Sequence, residues 1–163
     1  MNWDYYGGDV QIRRSIFRDI LKLKDRLRSS DIQEIKSAQN QTPLQALQDG
    51  LEKSDICLTV LYKGLPVAMG GVTRTAANVG IVWLLGSNDI NKIRVSFLRL
   101  SKIYMEKCLA EYGTLFNFIP PSNAATIRWL VWLGASLDDP KPIGVDGSMF
   151  QYFSIGKSLV EAA

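Results

Sequence analysis

Between Ile56 and Gly86 the chain carries three apolar runs that leave it few choices of fold. Ile56–Tyr62 is rich in β-branched and aromatic residues, which suit a pleated strand. Only Lys63-Gly64 and Leu65 separate it from a second run, Pro66–Val72. Two such runs joined by a short glycine-containing turn predict an antiparallel hairpin. The third run, Gly80–Gly86 (GIVWLLG), is apolar throughout and predicts a strand covered on both faces.

The segments around this hairpin read as helices and further strands. Thr42-Pro43-Leu44-Gln45 combines a capping threonine, a proline suited to the first helical position and a glutamine that closes the box, so a helix is expected over 43–53. Ser30 with Gln33, and Asp31 with Glu34, form overlapping capping patterns that start a shorter helix before it. After the third strand, Asn88 or Asp89 is expected to cap a helix over 90–111. Its Ile93, Phe97, Leu100, Tyr104 and Cys108 share one face, and Lys92, Arg99, Lys102, Glu106 and Lys107 share the other. Thr114–Ile119 predicts a fourth strand, 123–133 a helix ended by Gly134, 138–147 a loop, and Ser148–Ile155 a last strand. Hairpin first and crossover helices later give an α/β fold with a mixed sheet.

Charge is concentrated near the start. Of the 19 basic and 16 acidic residues, for a net charge of +3, residues 10–28 hold seven basic and two acidic ones. Ile12, Ile16, Ile20, Leu23 and Leu27 recur at helical spacing there, which predicts a basic amphipathic helix within a separate N-terminal segment, 1–29, ahead of a domain over 30–163. Arg14, Arg18, Lys22 and Arg26 then form one row able to face an acidic partner or DNA phosphates, although a solvated helix face explains the same row.

Several chemistries are excluded. The chain has no histidine, so His-based triads, metal sites and general bases are absent, and no metal site is expected. Cys57 and Cys108 match no zinc spacing and are expected as reduced thiols in an intracellular product. No apolar stretch approaches the roughly 20 residues of a membrane helix, and Met1-Asn2-Trp3-Asp4 does not open a secretory signal.

The order of elements, with LYKGLPVAMGG (Leu61–Gly71), VWLLGS (Val82–Ser87), YGTLFNFIPPSNAATIRWLVWLGA (Tyr112–Ala135) and DGSMFQYFSI (Asp146–Ile155), resembles the GNAT acetyltransferase superfamily. Within it the chain is most similar to the GNAT-like internal virion proteins of short-tailed bacteriophages. The resemblance implies a GNAT-like mixed central sheet with helices on both faces. It also implies a phage setting, with the virion, and the host cytoplasm during assembly, as the location. Other phage virion proteins, portal or core proteins among them, would be partners, alongside self-association and non-specific DNA contact.

In active members of that superfamily a glycine-rich loop after the fourth strand holds the coenzyme A pyrophosphate on backbone N–H groups and a helix N-terminus. The matching stretch here runs from Leu85 to Arg94, and no glycine lies between Ser87 and Arg94. Asp89 sets a negative charge where the anion would go. If acetyl-CoA binding is retained, the resemblance assigns it to Leu85, Ser87, Asn91, Lys92, Ile93, Arg94 and Asn123; otherwise no cofactor is expected. The strand Gly80–Gly86 has no carboxylate to act as base, and the family's tyrosine acid falls on Leu130. Tyr104 and Tyr112 read as core residues, so no catalytic residue is assigned.

Two functions therefore stand against each other: a non-catalytic virion or assembly protein acting through protein–protein contacts, which is the expectation, and an N-acetyltransferase using acetyl-CoA. A nucleic-acid-binding module built on residues 10–28 is a third. On the helix over 123–133, Ile127, Leu130 and Val131 lie on one face and Trp129, Trp132 and Leu133 on the other. The second apolar stripe makes Trp129 and Trp132 partner-binding candidates beside the basic row.

Overall fold

The computed structural model describes residues 2–156. Eight strands form one sheet: β1 (Tyr5–Gly7), β2 (Val10–Arg14), β3 (Ile56–Tyr62), β4 (Leu65–Ala76), β5 (Val79–Gly86), β6 (Thr114–Ile119), β7 (Ser136–Leu137) and β8 (Gln151–Gly156). Their spatial order is β1-β2-β3-β4-β5-β6-β8-β7, and every pairing is antiparallel except β5 with β6. The helices are α1 (Phe17–Leu23), α2 (Ser29–Gln39), α3 (Pro43–Lys53), α4 (Arg94–Tyr112) and α5 (Ala124–Trp132).

The hairpin forms as its residues dictate. Lys63 and Gly64 both take positive φ, 49° and 78°, the backbone that a two-residue turn needs to match the strand twist. The Thr42 side chain accepts from the Gln45 N–H and the Gln45 side chain accepts from the Thr42 N–H, so α3 starts where its box places it. The parallel pair β5/β6 needs a long crossover, which α4 supplies.

The sheet separates two helical layers. Ile20, Leu23 and Leu27 of α1 and its exit pack with Ala46 and Leu47 of α3 against Cys57, Met69 and Leu85 on one face. On the opposite face, α4 packs over Ile56, Val72 and Leu115, and α5 packs its Leu130 with Ile119, Phe153 and Ile155. Ile56 and Cys57 are neighbours on β3 and point to opposite layers, as strand alternation requires.

The expected basic helix over 10–28 is not what forms. Val10–Arg14 is strand β2, paired with β3 from Val10↔Tyr62 to Arg14↔Leu58, and only Phe17–Leu23 is helical. Val10 and Ile12 alternate inward as well as they fit a helical stripe, and pairing with β3 decides between the two. A buried ion pair makes the corner: Asp19 accepts from Arg13 Nη1 (2.8 Å), the Ile16 N–H (3.0 Å) and the Thr59 hydroxyl (2.8 Å). Burial opposes that charge, but these three donors outweigh it and hold the Asp19 carboxyl below its usual range. The first 29 residues thus contribute two strands and a helix to the common sheet and its cover.

The helix expected over 90–111 is also divided. A 3-10 helix, Asn88–Ile93, precedes α4, and its cap is Ser87 rather than Asn88 or Asp89. Ile90 and Ile93 are drawn into the core beside Val67 and Ala68, which the tighter 3-10 turn permits.

Candidate functional site

The parallel pair β5/β6 is short. Val79–Ile81 pairs with Thr114–Phe116, and Asn117 Nδ2 then donates to the Val82 carbonyl at 2.8 Å. Beyond that point Trp83–Gly86 pairs with β4 and Asn117–Ile119 with β8. Strands that part at their carboxyl ends open a crevice, the place where α/β sheets hold ligands.

One wall of the crevice is the stretch from Leu85 to Arg94. Leu85 is buried in the core beneath α1 and α3, and Ile93 is buried in the core beneath α4. Ser87 donates its N–H to the Val67 carbonyl (2.8 Å), while its hydroxyl accepts from the Asp89 N–H (3.2 Å) and its carbonyl from the Ile90 N–H (3.2 Å). Asn91, Lys92 and Arg94 are exposed. The Asp89 carboxylate is held by Lys92 Nζ at 3.0 Å and by Arg26 Nη2, whose Nη1 also donates to the Pro66 carbonyl at 2.8 Å. Lys92 first, then Arg26, keep the Asp89 carboxyl below the usual carboxylate range. Lys92 and Arg26 thus already hold a carboxylate, and three N–H groups of the wall are engaged inside the chain, while Arg94 stays exposed. This set does not fit a coenzyme A pyrophosphate in the way the glycine-rich loop does.

The gap between α4 and α5 is bridged by side chains. The Phe97 and Trp129 rings lie 5.8 Å apart, and Trp129 Nε1 donates to the Ser101 hydroxyl at 3.1 Å. Trp129 therefore faces inward, with Leu130, while Val131 and Trp132 face out. The two tryptophans do not form one stripe: Trp132 is 52% exposed, with Lys102 Nζ 5.7 Å from its ring.

A second groove of about 390 Å³ lies between α2, the turn after β6 and residues 148–150. Ser30, Glu34 and Ser37 line one side, and Ser122, Asn123 and Met149 the other. Asn123 caps α5, accepting from the Thr126 N–H at 3.4 Å. Glu34, expected only as the partner of Asp31 in a capping pattern, lines this groove instead, while α2 begins after Arg28 with Asp31 inside it. Burial, then the neighbouring Asp31 charge, push the Glu34 carboxyl up to about 7 against the pull of Arg28. Its position on α2, one turn after Asp31, marks it only once α2 is known to lie against residues 148–150.

The two regions are linked at the end of β5. Asp31 is buried, accepts from Arg28 Nη2 (3.0 Å) and Nε (3.1 Å), and accepts from the Gly86 N–H (2.9 Å). The Arg28 N–H donates to the Gly86 carbonyl at 2.8 Å. The start of α2 is thus pinned to the last residue of β5.

The expected basic row is dispersed. Arg14 ends β2 and lines a shallow cavity with Trp3, Asp55 and Arg74, and Arg26 is taken by Asp89. Of the row, Arg18 and Lys22 stay together on the exposed side of α1, beside Phe17 and Leu21. Among the described residues no group of three potential ligands could hold a metal ion, and no helix is long and apolar enough to cross a membrane.

Over residues 56–140 the sequence matches the family described as "Bacteriophage T7, probable scaffold protein Gp13". The probable scaffold protein gp13 of Escherichia phage T7 is 32% identical over 123 residues, a span that covers 70% of this chain and 83% of that protein. Among solved structures, a GNAT-family acetyltransferase from Bacillus anthracis superposes with a TM-score of 0.68 at 10% identity, covering 94% of this chain and 98% of its own. Ard1 from Thermoplasma volcanium gives a TM-score of 0.68 at 13% identity, covering 92% and 99%. At such identities the likeness shows the fold, which is the expected GNAT fold, and says nothing of catalysis.

Proposed function

Because the chain belongs to the phage T7 Gp13 scaffold-protein family and has a GNAT fold, we propose that it is a bacteriophage assembly protein on a non-catalytic GNAT scaffold. It acts through contacts with other phage proteins, in the host cytoplasm during assembly and in the virion. The observation that carries the non-catalytic part is the Asp89 carboxylate held by Lys92 and Arg26 where a coenzyme phosphate would sit. The Phe97–Trp129 contact between α4 and α5 supports it further.

Calorimetric titration of the full chain with acetyl-CoA tests this directly. The expected result is no heat of binding. A dissociation constant in the low micromolar range that is lost on changing Asn91 or Lys92 would overturn the non-catalytic reading. Affinity capture of the tagged chain from infected cells tests the other half, with portal or core proteins expected in the eluate.

Glu34 favours the alternative, an N-acetyltransferase. A carboxyl titrating at about 7 beside a polar groove is suited to accept a proton from an amine. Transfer of acetyl groups to peptides, abolished by Glu34→Gln, would establish that alternative.

A further inference from the structure

The α4/α5 layer and the loop between β7 and β8 present surfaces of opposite charge. On α4 and α5, Val95 (81%), Leu98, Val131 and Trp132 (52%) stand exposed. Lys102, packed over the Trp132 ring, joins the outer sides of the two helices into one patch, and Arg128 lies exposed one turn before Trp132. Residues 94–102 and 124–132 contain no carboxylate, and the next acid along α4 is Glu106. Neither Lys102 nor Arg128 forms a salt bridge among the described residues. This is an apolar patch with a basic rim.

On the other side, the loop between β7 and β8 carries Asp138, Asp139 and Asp146 against the single Lys141. Ile143, Val145 (64%) and Met149 are exposed along it. The Val145 N–H donates to the Ser37 carbonyl of α2 at 2.9 Å, which ties the loop to the layer of α1–α3. Ile143, Val145 and Met149 thus form an apolar ridge on the α2 side of the sheet, and Asp138 and Asp139 border it where the chain leaves the edge strand β7.

We propose that these two surfaces bind each other between copies of the chain, the 138–149 loop of one copy seating on the α4/α5 patch of the next. The proposal rests on the assembly reading above and names the partner as a second copy. Matching apolar centres and opposite charges give complementarity, and an exposed tryptophan at the centre of a patch is the side chain most often found as a binding anchor. Because the ridge lies on the α2 side of the sheet and the patch on the α4/α5 side, one chain cannot seat its own ridge on its own patch. Each added copy leaves a free patch at one end and a free loop at the other, so the contact is head-to-tail and builds assemblies larger than a dimer, rings or open chains.

Sedimentation velocity on the purified full chain tests this at about 50 mM and about 500 mM salt, where screening lengths differ severalfold. At low salt the expected result is association that grows with concentration beyond a dimer, and at high salt its loss. The double variants Lys102→Glu/Arg128→Glu and Asp138→Lys/Asp139→Lys should each weaken association about tenfold or more. Mixing them in equal amounts should restore it, since each then meets its complement. Melting temperatures near the wild-type value show that the variants are folded. A wild-type chain that stays monomeric at low salt, or double variants that associate as the wild type does, overturns the proposal. If the chain is monomeric yet the α4/α5 variant fails to co-purify with other phage proteins, self-association is refuted while the assembly role stands.

Discussion

Arg26, just beyond the end of α1, reaches across to Asp89 at the start of the 3-10 helix and joins two segments 63 residues apart in sequence. With Lys92 it keeps the Asp89 carboxyl ionised below the normal carboxylate range. A carboxyl whose folded pKa is depressed stabilises the native state above its unfolded pKa, and loses that effect as pH falls through the folded value. Asp89→Asn should therefore melt at a lower temperature than the wild type at pH 7. The gap should close as pH drops below about 3.9. Thermal melts across pH 2–7 at low salt check this, with a smaller gap expected at high salt.

Glu34 has the opposite sign. Its folded pKa of about 7 lies above the ordinary glutamate value, so its charge destabilises the fold progressively as pH rises from the ordinary glutamate range to about 7, and the effect levels off above that. Glu34→Gln should raise stability at pH 8 by up to about 3 kcal/mol and leave it unchanged below pH 4. Urea unfolding at the two pH values measures the difference.

Two neighbouring ion pairs should behave unlike each other. Arg28→Ala leaves Asp31 buried with a single N–H donor from Gly86, and should cost about 3 kcal/mol. Lys24→Ala breaks a pair with the exposed Asp25 and should cost less than about 0.5 kcal/mol. Chemical denaturation of both variants at pH 7 makes the comparison.

The tryptophans of α5 separate in the same manner. Trp129→Ala removes the Phe97 contact and the Ser101 hydrogen bond and should cost about 3 kcal/mol of folding stability. Trp132→Ala should change stability by less than about 1 kcal/mol, its effect appearing in association instead. Paired measurements of melting and sedimentation on the same samples distinguish them.

What the sequence disclosed was what local chemistry decides. The Lys63-Gly64 turn and the Thr42 box each depend on a few adjacent residues, and both stand where they were expected. The strand character of Val10–Arg14 was hidden because Ile12, Ile16 and Ile20 satisfy a helical period while Val10 and Ile12 satisfy a strand period. Only the partner β3 resolves that ambiguity. The division of Trp129 from Trp132 depends on where α4 lies, which no periodicity within α5 encodes. In the candidate site the lack of glycine and the position of Asp89 were visible. Arg26 was read as part of a basic face because its partner lies far along the chain. Glu34 was read only as a capping partner of Asp31 for a similar reason, since its altered titration comes from burial within the folded chain and from the Asp31 charge.

The rims of the sheet set a limit on how such a chain can multiply. β1 spans three residues and β7 two, so either edge offers an incoming strand few backbone groups to pair with. Ribbon-like growth by strand addition, with its repeat of about 4.7 Å, is thereby disfavoured. Growth through the proposed contact would instead run from one face of the sheet to the other. An array of this protein would stack slab upon slab, with a period set by the thickness of a sheet clothed in helices on both sides, and could come apart again without any chain unfolding.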